Sequence, residues 1–242
     1  MPKQRLDQAM VTRGLVISRS QAESWIRLGK VRVAEKLVTK PGFMVAEETP
    51  IRLTASEQYV SRAGLKLASV AQTLKLDFSG KVMLDVGSST GGFTDYALQH
   101  GAKLVIAVEV GTNQLHPSLH GNPKIELHEQ TDIRNMKKLS TVPDLVVIDV
   151  SFVSLRNILP DVARLCSPQT EIIAMVKPQF EALASDKHKG VIKNDRMRRD
   201  ILKSFEDWAR LLFVIIAKAD SDIAGAKGNV ERFYKLKATP KH

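Results

Sequence analysis

The feature that most constrains the fold of this chain is a short apolar run that ends in a glycine-rich turn. Residues 82–86 are mostly apolar, and Gly87, Gly91 and Gly92 follow them closely. Such a run is typical of a buried parallel strand, and glycines let the backbone turn tightly and approach a ligand. Residues 93–100 are then expected to form a helix. Strand, turn and helix together predict the ligand-binding corner of an open α/β sheet.

The glycine turn favours an adenosine-type ligand over a pyrophosphate. It lacks the G-x-G-x-x-G spacing, and no Lys-Ser/Thr pair follows the glycines as in a P-loop. Residues 104–108 are expected to form the next strand, and Glu109 at its end can accept both ribose hydroxyls of the ligand. Asp132, after the third strand, is a candidate acceptor for the adenine amino group. The pattern suits S-adenosylmethionine, with a structural turn and a solvent-facing glutamate as the alternative.

Charge and cysteine content narrow the class of protein. The 242 residues suffice for one large and one small domain. The net charge of +10 favours an anionic partner such as nucleic acid, or simply a soluble basic protein. The single cysteine, Cys166, cannot form an internal disulfide and has no zinc-type companions, which fits the reducing cytoplasm and no metal. We expect no signal peptide and no stable membrane association, because the longest apolar run, 211–217, is too short to cross a bilayer.

Residues 1–58 are predicted to form a separate unit with a linker at its end. Helical spacing of apolar residues predicts two helices, the second capped by Ser18 with Gln21 completing a capping box. Short strands are expected at 31–33, 37–38 and 51–53. The unit carries a net charge of +4, and Arg19, Arg27 and Lys30 could share one side of the second helix and its exit. A solvated helix face is the alternative.

Residues 59–242 alternate between strand and helix patterns, which predicts a doubly wound domain. Ser151 is expected to cap a helix that reaches Leu165. Further strands are expected at 125–127, 144–149, 171–176, 212–217 and 230–236, and a further helix at 197–211. Asp149 and Lys177 then fall at strand ends, where open sheets bind ligands. Glu231 reaches the same edge if the last strand runs antiparallel to its neighbours.

The first unit resembles the RNA-binding domain named after ribosomal protein S-four. The match rests on Arg5-Leu6-Asp7, Gly14-Leu15, residues 18–22, 29–33 and Lys40-Pro41-Gly42. The resemblance implies RNA binding, for which we single out Arg5, Arg19, Arg27 and Lys30. One departure is Glu35-Lys36, where that family usually has Asn-Gly at the hairpin tip.

The rest of the chain resembles the FtsJ-like 2′-O-ribose methyltransferases, and the whole chain resembles the TlyA (hemolysin A-like) family of rRNA methyltransferases. The matching segments are 61–67, 85–94, 149–152, 176–181 and 228–231. The resemblance implies a Rossmann-like sheet of seven strands, the last antiparallel, and a catalytic tetrad of Lys66, Asp149, Lys177 and Glu231. Read from periodicity alone, Lys66 would be a surface lysine with a buried stem. Cofactor contacts are expected from Asp85, Gly87, Ser88, Ser89, Thr90, Gly91, Gly92, Phe93, Glu109 and Asp132.

The tetrad suits methyl transfer to a ribose hydroxyl of rRNA or of a ribosomal subunit. A 2′-hydroxyl is a poor nucleophile at neutral pH and needs a base and orientation. We expect Lys177 to be that base, Lys66 the neighbouring cation, and Asp149 and Glu231 the groups that orient the two amines. The family suggests cytidine as the target, and no metal is required.

Three alternatives remain open at this stage. A hemolysin or pore-former would need membrane-active segments, which the sequence does not offer. A non-catalytic RNA-binding protein would fail to bind S-adenosylmethionine. A methyltransferase of proteins or small molecules would not depend on RNA. If the second helix does not bind RNA, the footprint is expected on the large domain near Lys187, Lys189 and Lys193.

Overall fold

The computed structural model describes residues 3–16, 18–27, 29–54, 59–182, 191–192, 194–225 and 228–239. Lys187, Lys189 and Lys193 lie outside these ranges, as does the predicted domain boundary near residue 58. The alternative RNA footprint near these lysines and the position of the boundary therefore stay predictions.

The first unit combines two helices with five short strands. Strand β1 pairs antiparallel with β4, and β2 lies between β3 and β5 in a second small sheet. Leu6, Met10, Ala22 and Ile26 are fully buried between the helices, as their helical spacing predicts. The elements are β1 (Lys3–Arg5), α1 (Leu6–Thr12), α2 (Arg19–Arg27), β2 (Val31–Val33), β3 (Lys36–Leu37), β4 (Met44–Ala46) and β5 (Ile51–Leu53).

The predicted N-cap of α2 is observed, whereas the tip of the β2–β3 hairpin lies one residue earlier than predicted. The Ser18 hydroxyl accepts the Gln21 backbone N–H, which confirms the N-cap. The Gln21 side-chain amide donates to the Tyr59 carbonyl oxygen at 2.6 Å, and so connects α2 to the second unit. The β2–β3 turn is built on Ala34 and Glu35, both with positive φ, rather than on Glu35-Lys36. A turn that requires two left-handed residues explains why Asn-Gly is favoured at such positions.

The second unit is a seven-stranded sheet with helices on both faces. The spatial order is β11-β12-β10-β9-β6-β7-β8, and β12 runs in the opposite direction to the other six strands. This confirms the predicted sheet. The elements are α3 (Arg62–Ala71), β6 (Val82–Val86), α4 (Gly92–Gln99), β7 (Leu104–Val108), β8 (Ile125–His128), β9 (Leu145–Ile148), α5 (Leu159–Arg164), β10 (Glu171–Val176), α6 (Pro178–Glu181), α7 (Asp195–Ala209), β11 (Phe213–Asp220) and β12 (Arg232–Ala238).

The central strands are buried on both faces, which is why they read as nearly continuous apolar runs. Helices α3 and α4 cover one face, where Leu65, Leu67 and Phe93 join the core. Helices α5 and α7 cover the other, where Leu202 and Phe205 are buried. Every strand of the parallel set therefore ends at one common edge, to which β12 adds its amino end.

Local structure departs from the sequence analysis in two places. Strands β1 and β4 have no counterpart among the predicted elements, because each has three residues and pairs with a partner about 40 residues away. Ser151 does not cap a helix. Ser154 does so instead, by accepting the Arg156 N–H at the start of a short 3-10 turn that leads into α5.

Within the described ranges, no helix combines the length and the apolar character needed to cross a membrane.

Candidate active site

The carboxyl ends of β9 and β10 bring together a lysine, a carboxylate and a hydroxyl. Lys177 follows β10, and its Nζ lies 2.5 Å from Asp149 Oδ1, just beyond β9. The same Nζ donates to Ser151 Oγ at 2.8 Å. The pairing of β9 with β10 in parallel register makes these neighbours, since it carries both strands to the same edge. The amine is largely buried while Ser151 faces the open cleft.

A second lysine–carboxylate pair lies at this edge. Lys66 on α3 is only 7% exposed, and its Nζ lies 2.6 Å from Glu231 Oε2. Glu231 is 2% exposed and immediately precedes β12, whose reversed direction brings it to the carboxyl edge. A Cβ on Gly225 would lie 2.6 Å from Glu231 Oε1, so a glycine is needed there to leave room for the carboxylate. The expectation from periodicity that Lys66 lies at the surface is therefore wrong.

The glycine turn after β6 fits closely against these groups. Gly87 has φ +80°, and a Cβ there would lie 2.8 Å from the Asp149 carbonyl oxygen. Gly91, with φ +83°, is the N-cap residue of α4. The turn therefore needs glycine for both its conformation and its close approach to β9.

Glu109 secures the turn from the end of β7. Its two carboxylate oxygens accept the backbone N–H groups of Ser89 at 2.9 Å and Gly111 at 2.7 Å. Each carboxylate oxygen retains acceptor capacity beyond one hydrogen bond. The expected ribose role of Glu109 therefore stays a prediction that is compatible with this geometry.

The Asp132 carboxylate already accepts several hydrogen bonds from Arg134. Its carboxylate accepts the backbone N–H of Arg134 at 2.9 Å and also contacts the Arg134 guanidinium through Nε and NH2. The Arg134 hydrogen bonds, the largest contribution, lower the pKa of Asp132. Contact with an adenine amino group would have to displace part of this arrangement, so that role stays a prediction.

A cavity of about 230 Å³ opens between the glycine turn and the ends of β7 and β9. Its walls are mainly apolar, with a few polar groups that include Asp132 and Ser151. Apolar pockets with a few directed polar groups are the usual form of small-molecule sites. The lining residues are Val86, Gly87, Val108, Val110, Thr131, Asp132, Ile133, Arg134, Val150, Ser151, Val153 and Ile158.

Two buried polar atoms of β6 and the turn after it lack a hydrogen-bond partner among the described residues. They are Asp85 Oδ1 and Ser88 Oγ; Asp149 Oδ1, opposite the turn, also lacks one but forms an ion pair with Lys177. Burial, and then the charges of Asp149 and Glu109, raise the pKa of Asp85 to about 7, although the Thr94 hydroxyl donates to its other oxygen at 2.7 Å. Buried polar groups in native proteins normally have partners, so these atoms suit a ligand that supplies them. The turn therefore fits a bound cofactor.

The other turn residues have less direct roles. Phe93 is 2% exposed and packs on Phe233 with ring centroids 6.1 Å apart, so it serves the core. The Thr90 carbonyl accepts the His116 N–H, which fixes the loop that follows β7. The residues described contain no cluster of three or more His, Cys, Asp or Glu side chains that could hold a metal ion.

In the first unit, the predicted RNA-binding residues divide into two groups. Arg5 and Arg19 both bind Asp7, which has no exposed surface. Burial would raise the pKa of Asp7, but the hydrogen bonds from both arginines outweigh it and hold the pKa at about 2. Arg27 and Lys30 are exposed. Asp7 thus fixes two guanidinium groups at the surface, a role that the sequence pattern did not indicate.

Sequence reasoning also missed an exposed aromatic side chain at the site. Phe152 is 91% exposed, has φ +66°, and lies with its ring centroid 5.3 Å from that of Phe180. It follows Asp149 by three residues and Phe180 follows Lys177 by three. An aromatic residue next to a strand-end acid is the signal that could have identified it.

Asp85 gives a testable pH dependence. Its pKa is about 7 in the folded protein and about 3.8 in the unfolded chain, so its ionisation destabilises the fold increasingly between these pH values. Asp85→Asn removes this titration. The melting temperature of the variant, relative to wild type, should therefore rise by roughly a few degrees from pH 5 to pH 8. Calorimetry across this range measures it, and a constant difference would contradict the buried, titrating carboxyl.

Comparison with known proteins identifies both units. The FtsJ-like methyltransferase model matches residues 59–238, and the S4 domain model matches residues 4–51. Curated relatives from two species carry the name TlyA. The chain is 44% identical to the 23S rRNA (cytidine-2'-O)-methyltransferase TlyA of Campylobacter jejuni, over 74% of this chain and 71% of the relative. It is 36% identical to the 16S/23S rRNA (cytidine-2'-O)-methyltransferase TlyA of Mycobacterium tuberculosis, over 96% and 89%.

A solved structure gives the same result. The chain superposes on a "Putative hemolysin from Streptococcus thermophilus" with a TM-score of 0.73 and 35% identity, over 100% of this chain and 90% of that chain. The hemolysin label and the methyltransferase name thus occur among relatives of one fold. The chain therefore belongs to the TlyA family of FtsJ-like methyltransferases, with an S4 domain ahead of the methyltransferase domain.

Proposed function

We propose that this protein is an S-adenosylmethionine-dependent methyltransferase that methylates ribose 2′-hydroxyls of rRNA, with cytidine as the target nucleotide. The observation that carries the proposal is the pair of buried lysine–carboxylate contacts, Lys177–Asp149 and Lys66–Glu231, beside an apolar cavity at one sheet edge. The names of the TlyA relatives support the choice of rRNA and cytidine.

The cofactor would be held by the glycine turn and the cavity beside it. Gly87 allows the ligand to approach the backbone, Glu109 accepts ribose hydroxyls, and Asp85 and Ser88 offer buried polar atoms to its amino-acid portion. The apolar walls formed by residues such as Val108 would receive the adenine ring. When bound, S-adenosylmethionine supplies an electrophilic methyl group on a sulfonium centre.

Each of the four charged residues has a separate role in methyl transfer. Lys177 accepts the proton of the 2′-hydroxyl, and Asp149 orients its amine. Lys66 places a positive charge beside the oxygen that becomes negative, and Glu231 holds that amine in position. When protonated, each lysine is neutralised by one carboxylate, so both amines can be buried at a cost that an unpaired charge would not allow. Lys177 acts as the base in its unprotonated form. Rate enhancement then comes from base catalysis and from positioning.

Substrate binding is assigned to two surfaces. Arg5, Arg19, Arg27 and Lys30 on the first unit would contact phosphates of rRNA, which supplies affinity without reading sequence. The exposed ring of Phe152, next to the catalytic edge, offers a face on which a nucleobase can stack. We place the reaction in the cytoplasm, with rRNA or a ribosomal subunit as the partner, and we place the domain boundary near residue 58.

Lys177→Ala tests the chemical assignment. Loss of the general base should lower the single-turnover rate of tritiated-methyl transfer to rRNA by roughly 100- to 10,000-fold. Affinity for S-adenosylmethionine, measured by calorimetry, should change little, because Lys177 is not among the residues that line the cavity. A variant that retains more than about a tenth of the wild-type rate would contradict the assignment.

Lys235→Met is the matched control for this experiment. Lys235 is also buried and ion-paired, but its partner Glu171 begins β10 and so lies at the opposite edge of the sheet. The control should lower thermal stability and leave the rate per folded molecule unchanged. An equal loss of rate in both variants would show that removal of any buried lysine lowers the rate, and it would contradict the assignment of Lys177 as the base.

The RNA-binding assignment is tested with Arg27→Ala combined with Lys30→Ala. These side chains are exposed, whereas Arg19→Ala would also disturb buried Asp7. Each lost phosphate contact should reduce the slope of log affinity against log salt by roughly 0.7 to 0.9, and affinity for an rRNA fragment should fall.

The matched control removes the same charge from the large domain through Lys137→Ala and Lys138→Ala, both exposed. Affinity measured across a salt series should show a smaller effect for the control. Equal slopes in wild type and in the Arg27/Lys30 variant would mean that this helix exit is a solvated surface only.

A further inference from the structure

Ser151 contacts both the cofactor cavity and the base, and neither the sequence pattern nor the tetrad gives it a role in the chemistry. Its Oγ accepts a hydrogen bond from Lys177 Nζ at 2.8 Å, and the residue also lines the cavity. Its expected use as a helix cap is taken over by Ser154, which leaves the Ser151 hydroxyl available to the site.

We propose that Ser151 is a positioning residue that aims the lone pair of Lys177 at the substrate hydroxyl. This inference rests on the proposed function. A neutral amine has two N–H donors and one lone pair. In this site Ser151 Oγ, at 2.8 Å, accepts a hydrogen bond from Nζ, whereas Asp149 Oδ1, at 2.5 Å, forms an ion-pair contact that lacks hydrogen-bond geometry. The hydrogen bond to Ser151 fixes one N–H direction, and the lone pair then lies in one of the two remaining tetrahedral directions.

Asp149 alone would not fix this direction. Its carboxylate attracts the amine by charge, whereas the hydrogen bond to Ser151 sets the rotation about the Cε–Nζ bond. Ser151 therefore adds direction without adding a second negative charge. Because Ser151 follows Asp149 by only two residues, both groups move together with the end of β9.

The role predicts that Ser151→Ala lowers the rate and leaves binding intact. Misdirection of a reacting group by a fraction of an ångström to about 1 Å can cost up to about 100-fold, so the single-turnover rate at saturating S-adenosylmethionine and rRNA should fall roughly 10- to 100-fold. The rRNA concentration that gives half the maximal rate, and the affinity for S-adenosylmethionine, should change little, because the hydroxyl acts on the base.

The experiment measures single-turnover methyl transfer with the full-length protein across a series of rRNA concentrations at saturating S-adenosylmethionine. Ser151→Thr keeps a hydroxyl and should restore the maximal rate. Ser154→Ala is the matched control, because its hydroxyl bonds Glu181 and the Arg156 N–H rather than Lys177. This control should lower the melting temperature and leave the rate per folded molecule unchanged.

Two results would overturn the positioning role. One is a folded Ser151→Ala protein with the wild-type maximal rate. The other is a loss of rate that disappears once S-adenosylmethionine is saturating, since this would make Ser151 a cofactor contact only. An inactive wild-type protein would instead overturn the proposed function, and the inference with it.

Discussion

The candidate site depends on the reversed direction of β12 in an otherwise parallel sheet. The parallel strands deliver Gly87, Asp149 and Lys177 to one edge, because each lies just beyond the carboxyl end of its strand. A parallel β12 would leave Glu231 at the far edge, and Lys66 on α3 would then be a buried cation without its carboxylate. Antiparallel pairing with β10 places the amino end of β12 beside the same edge and completes the second pair.

Charge balance explains why the site can be both buried and polar. Two lysines and two carboxylates form contacts of 2.5 to 2.6 Å, so neither amine is left unpaired in the interior. The nearby glycine turn behaves differently, because no cation among the described residues pairs with buried Asp85, and burial raises its pKa to about 7. One edge of the sheet thus combines paired charges, suited to proton transfer, with an unpaired carboxyl that a ligand can satisfy.

The fold could be predicted from the sequence more completely than the site. Buried strands such as residues 145–148 are apolar along their whole length, and the closely spaced glycines after β6 favour a tight turn over a continued strand or helix. Lys66 carries no such signal, since its contact with Glu231 spans most of the chain and only the resemblance pointed to it. Ser151 was misread because Ser154, three residues on, is an equally good cap by residue type, and only three-dimensional packing decides between them.

The most direct test of the account identifies the methylated nucleoside. rRNA is incubated with the protein and S-adenosylmethionine that carries a deuterated methyl group, digested to nucleosides and analysed by mass spectrometry. The account predicts labelled 2′-O-methylcytidine, with the mass increase on the ribose fragment. Label on the base fragment, label confined to protein, or no label in RNA would contradict the claim that this edge of the sheet methylates a ribose hydroxyl.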